Sequence, residues 1–115
     1  MAGKKKDLVP RPTKKVEYEI RFATIQAARG WRDLIASSRN SMADTWDFLT
    51  RTPLSTTSTN YRLKGELGTI LREGTPHNRW QHKPSLKGSA RIWFYVVEQT
   101  VFLEQVHTHH PNETK

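Results

Sequence analysis

Three short segments near the C-terminus constrain the fold most: "RWQHK" at 79–83, "ARIWFYVV" at 90–97 and "TVFLEQVH" at 100–107. They are separated only by "PSLKGS" and by a tight turn at Glu98 and Gln99. Parallel neighbours need a crossover of roughly a dozen residues or more, so strands joined this closely are antiparallel. That pairing sets the register. Arg91, at the opening of the middle strand, falls beside His82 or Lys83 on one side and beside His107 on the other. Alternation along the same strand assigns Ile92, Phe94 and Val96 to a packed face, and Arg91, Trp93 and Tyr95 to an open one.

Upstream, "VEYEIRF" alternates Val16, Tyr18, Ile20 and Phe22 with Glu17, Glu19 and Arg21, the pattern of a half-buried strand. From Ala23 to about Ser38, the residues Ile25, Ala28, Trp31 and Ile35 recur at helical steps, and Gly30 weakens that helix slightly. A second helix is expected from a cap at Asn40 or Ser41, with Asp44 in a capping-box position, an apolar stripe of Met42, Trp46 and Leu49, and an end at Pro53. "LSTTSTN" reads as a polar loop and "YRLKGELGTILREGTPHN" as an irregular connector. The expected architecture is α+β, in the order strand, two helices, three strands, with the helix pair on one face of a small antiparallel-rich sheet. A length of 115 residues suits one domain, placed at 17–115 behind a flexible basic arm at 1–16.

The net charge of +8 is unevenly distributed. The arm sets six Lys and Arg against Asp7 and serves either to solubilise the chain or to steer it toward nucleic acid. Residues 77–115 combine five Lys and Arg with three Glu and all five histidines, so titratable basic chemistry is concentrated in the final third. The chain has no cysteine, which excludes disulfides and thiolate-bound zinc and makes a reducing cytoplasmic setting the default. No secretory apolar core follows the N-terminal residues, and no apolar run approaches the roughly 18 residues that span a bilayer, so no membrane partner is expected.

Paired carboxylates, a phosphate loop and a serine triad are not evident. A basic residue followed by two aromatics, Arg91, Trp93 and Tyr95, suits an open platform for a stacked base and its phosphate, or equally a covered protein contact. His107 and His109 can share a face, but no carboxylate or cysteine is spaced to complete a metal site with them. His109, His110 and Lys115 also fit a frayed end, Arg91 fits a surface ion pair with Glu104, and Lys64 fits a residue serving only the turn at Gly65.

Taken in order, "YEIRFA", the helix pair, "YRLKGEL", "RWQHKP", "ARIWFYV" and "HTHHPNETK" resemble the RelE/ParE superfamily of type II toxin–antitoxin toxins, from about Tyr18 to Lys115. The resemblance implies a sheet that grips messenger RNA in the ribosomal decoding site and cuts it without a metal or other cofactor, and a cognate antitoxin as partner. By position it assigns the cutting to Lys83, Arg91 and His107 or His109. Arg79 is a possible helper to Lys83, and the residues expected to contact RNA are Lys64, Arg79, His82, Trp93, Tyr95 and Lys115. Gln81 stands where RelE has a second lysine, and the tyrosine that follows RelE's C-terminal basic residue has no counterpart. Cleavage by 2′-hydroxyl attack needs a proton acceptor, charge stabilisation and a proton donor. Histidine suits the proton roles, and arginine or lysine suits the phosphate. A ParE-like inhibitor of DNA gyrase and a non-catalytic basic module that binds RNA or protein are the alternatives.

Overall fold

A computed structural model describes residues 9–109. Strand β1 (Glu19–Phe22) leads into helices α1 (Ile25–Ser37) and α2 (Arg39–Arg51). Strands β2 (Asn60–Arg62), β3 (Thr69–Arg72), β4 (Thr75–Asn78), β5 (Trp80–His82), β6 (Arg91–Val97) and β7 (Thr100–His107) follow. Five strands form one sheet in the order β1-β7-β6-β5-β2, and β3 and β4 form a separate hairpin. The fold is α+β and mostly antiparallel; the exception is β1, which runs parallel to β7. The three C-terminal strands lie where alternation and turn spacing put them, and Arg91 pairs with His107 as expected.

Both helices pack on one face of the sheet. Ala27, Leu34, Met42 and Leu49 meet Trp80, Ile92, Phe94, Val101, Leu103 and Val106 in the core. The face of α1 is not the one its bulky residues suggested. Ala27, Gly30 and Leu34 point inward, Trp31 is half-buried, and Ile25 is 73 % exposed. Small residues decide this, because α1 crosses β7 so closely that a Cβ on Gly30 would lie 2.1 Å from the Val106 carbonyl oxygen. In α2 the N-cap is Ser38 rather than Asn40 or Ser41, and Thr45 joins Met42 and Leu49 on the buried side while Trp46 is half-buried.

The first strand starts later than expected. Val16 is 82 % exposed, whereas Glu17 is turned inward. Arg11 Nη2 donates to both Glu17 oxygens at 3.1 and 3.0 Å, the Lys14 N–H adds a bond of 2.8 Å, and the Arg11 guanidinium lies over Trp46. These bonds hold the Glu17 carboxyl below the usual carboxylate range. The expected flexible arm is thus tethered from Arg11 onward, and its residues 1–8 lie outside the described residues.

Beyond Phe22 no strand among the described residues lies along the edge of β7, and the first turn of α1 takes over. The Ala23 N–H donates to Leu103 O, Thr24 Oγ1 donates to Glu104 O, and the Gln26 side-chain amide bonds both the N–H and the C=O of Val106. An exposed row of backbone groups is satisfied in this way.

The expected irregular connector contains three strands. Glu73 and Gly74, both with positive φ, make a two-residue turn that the sequence offers only as "EG". This β3–β4 hairpin folds across the sheet face opposite the helices and stacks His77 on Tyr95 at 4.7 Å. The expected open face is therefore largely roofed.

Candidate functional site

Pairing of β5 with β6 ends at His82 and Ile92, which brings Lys83 level with Arg91; Arg91 in turn pairs with His107. Lys83, Arg91 and His107 thus form one row across three strands. Arg91 does not pair with Glu104. Its Nη1 donates to the Gly88 and Ala90 carbonyls at 2.9 and 2.8 Å, and its buried Nε has no hydrogen-bond partner among the described residues. Lys83 is half-buried, with its ammonium 5.5 Å from the centre of the Tyr61 ring.

A β-bulge builds the rest of the site. Trp93 pairs with Gln105 and Phe94 with Leu103, so Glu104 is an extra residue in β7. Leu103 and Val106 both stay in the core, and two residues rather than one lie between them. Glu104 then meets Arg79 through two bonds of 2.9 Å, Arg79 Nη1 donates to Leu67 O, and the guanidinium covers Trp93 at 5.0 Å.

This ion pair orients its neighbours. Gln105 Nε2 donates to Glu104 Oε2 at 3.1 Å, which turns Gln105 Oε1 toward His107 Nε2 at 2.7 Å. An amide oxygen has no proton to give, so His107 Nε2 carries the hydrogen of that bond. His107 and Gln105 line a cleft of about 380 Å³ together with Thr24, Gln26, Arg72 and Glu104. Breaking the ion pair should be costly because both partners are largely buried. Arg79→Met is expected to destabilise the protein by about 3–5 kcal/mol in urea denaturation, and adding Glu104→Leu should recover most of the loss.

Other expected site residues are placed elsewhere. Trp93 and Tyr95, at 2 and 6 % exposure, are not an open platform. Trp93 lies under Arg79, edge-on to His107, and its Nε1 donates to Gln81; Tyr95 is stacked between His77 and Phe102. His109 lines a separate hollow with Ser37, Ser38, Ser41, Ser85 and Ser89. Lys64 is exposed and precedes the turn at Gly65, whose φ is positive. Lys115 lies outside the described residues. Among the described residues, no three His, Cys, Asp or Glu side chains are grouped to hold a metal, and no helix is long and apolar enough to cross a membrane.

His82 faces the helices. Its ring packs against Phe48, Nδ1 lies 3.1 Å from Asn60 Oδ1, and Nε2 lies 3.4 Å from Thr45 Oγ1. The Asn60 amide donates to the Pro53 and Ser55 carbonyls, which presents its oxygen to the His82 Nδ1 hydrogen. Burial pushes the His82 pKa down to about 4 from 6.5. A value lowered in the folded state means that the unfolded chain takes the proton first. Stability is therefore full above about pH 6.5 and is lost as pH falls toward 4, by up to roughly 3 kcal/mol. Urea midpoints measured across that window should show the slope, and His82→Gln should flatten its own share of it.

Sequence reasoning missed Gln26, Arg72, Glu104 and Gln105. Gln105 was findable, since a residue two before His107 on a strand shares its face. Glu104 needs the bulge and Arg72 needs the folded-over hairpin, and neither has a local signature. No protein-family model and no curated protein matches this chain.

Proposed function

We propose that this protein is a toxin of the RelE/ParE kind that cuts messenger RNA in the cytoplasm, with the ribosome as its site of action and an acidic antitoxin as its restraint. The observation that supports this reading most is the row of Lys83, Arg91 and His107 across β5, β6 and β7, with His107 Nε2 held by Gln105. In the proposed reaction His107 takes the ribose 2′-hydroxyl proton, and the 2′-oxygen attacks the adjacent phosphorus. The bond to the 5′-oxygen breaks, leaving a 2′,3′-cyclic phosphate and a 5′-hydroxyl. Lys83 offsets the phosphorane charge and protonates the departing oxygen, while Arg91 adds positive charge and holds the 84–90 loop. An element order of strand, two helices and a C-terminal run of antiparallel strands is consistent with the resemblance.

Brief induction of the protein, followed by mapping of transcript ends, tests the proposal. Cuts within translated regions, ending in cyclic phosphate, are expected. Intact messages with accumulated gyrase–DNA complexes would replace it with the gyrase reading. A second reading, RNA binding without cleavage, draws on the engagement of Arg91 Nη1 by its own loop, and would show as RNA bound but uncut.

A further inference from the structure

The β3–β4 hairpin leaves a second cleft, about 570 Å³ in volume, beneath its tip. Its walls include Phe22, Arg72, Glu73, His77, Tyr95 and Phe102. Three of these rings form a near-parallel ladder: His77 and Tyr95 at 4.7 Å and 22°, then Tyr95 and Phe102 at 5.3 Å and 17°. Phe22, 46 % exposed, offers a further ring at the edge. Arg72 lines both this cleft and the one containing His107, so it stands at their junction. Its Nη2 donates to the Ala23 carbonyl at 3.2 Å, which fixes the guanidinium there. A guanidinium has five N–H groups, and one bond to a carbonyl leaves a fork for phosphate oxygens.

We propose that this hairpin cleft is a nucleotide subsite for single-stranded RNA, taking the base next to the bond presented to His107. Both faces of Tyr95 are covered by His77 and Phe102, so the ring offered to a base is the exposed Phe22, which lines the cleft with Arg72. An aromatic ring beside a cation is the chemistry that holds an unpaired base and its phosphate. Glu73, the acidic group on the rim, sets the polarity: the phosphate lies at the Arg72 end and the base lies under the hairpin tip. The inference rests on the RNA reading but not on cleavage. It makes Phe22 and Arg72 positioning residues for the strand.

The test uses the full chain and an oligoribonucleotide methylated at every 2′-oxygen, which cannot be cut by 2′-hydroxyl attack. Fluorescence anisotropy should show Phe22→Ala and Arg72→Gln each weakening binding by about 10-fold or more, with unfolding midpoints near wild type. A 4-thiouridine in the strand should crosslink to the peptide containing Phe22 or to the one containing His77. Unchanged affinity in both variants, or crosslinks only to other segments, overturns the subsite. So does protection of Phe22 by an acidic peptide but not by RNA, which would make the cleft a protein-docking site. Binding in the cleft without cleavage of unmodified RNA would remove the nuclease reading and leave the subsite standing. Cleavage with unaffected variants would do the reverse.

Discussion

Gly30→Ala should destabilise the protein by about 3–5 kcal/mol, or prevent folding, although the same change inside an exposed helix stabilises by about 1 kcal/mol. The reversal comes from the approach of α1 to β7. The new methyl group would sit 2.1 Å from the Val106 carbonyl oxygen and 2.9 Å from the Val106 Cβ, and backbone cannot step aside as a flexible side chain can. Moving α1 away would uncover Ala27 and Leu34 and pull Gln26 off Val106, one residue before His107. Urea midpoints of Gly30→Ala and Gly30→Ser, compared with wild type, measure the effect. A wild-type midpoint in Gly30→Ala would mean that α1 does not lie this close to β7.

His107→Gln should reduce cleavage by about 100- to 10,000-fold, the range for removing a general acid or base. Glutamine keeps hydrogen-bonding capacity but cannot accept the 2′-hydroxyl proton. The pH dependence discriminates more sharply than the rate. With His107 as the base, wild-type cleavage should rise with pH, and the variant should lack that rising limb. Gln105→Leu should keep the rising limb while slowing the reaction, since the ring remains but its orientation is no longer held through Nε2. Single-turnover cleavage of a ribosome-bound message between about pH 5.5 and 8.5 measures the profile. A glutamine variant with wild-type rate and profile would remove His107 from the chemistry.

What the sequence made legible follows from how local each signal is. The row of Lys83, Arg91 and His107 could be read because short turns force antiparallel register, and each strand alternates clearly enough to set its phase. The face of α1 could not. Periodicity marks where bulky residues recur, whereas the packed side was selected by the smallest ones, Ala27 and Gly30, which let two backbones meet. The hairpin was hidden because "TPHN" carries a proline and no apolar alternation, and its partner strand spans only Thr69–Arg72. Roofing by that hairpin is also why Tyr95, correctly assigned to the face away from the helices, is not exposed. His82 alternates with Gln81, so its direction was readable, but its neighbours Thr45, Phe48 and Asn60 come from distant parts of the chain. Glu104 meets Arg79 only because of one extra residue in β7, and a bulge leaves no mark in composition.

The parallel pairing of β1 with β7 bears on how the molecule is made. Residues 19–22 have their strand partners at 100–103, and the contacts of Thr24 and Gln26 with β7 close over 80 residues of chain. Closing such long loops slows folding, because ordering the intervening segment must precede the reward of pairing. During synthesis the amino-terminal strand and the first turn of α1 emerge long before their partners exist. The cleft around His107, which needs Thr24 and Gln26 from that early segment and Gln105 from the late one, is therefore among the last parts of the nascent chain to take shape.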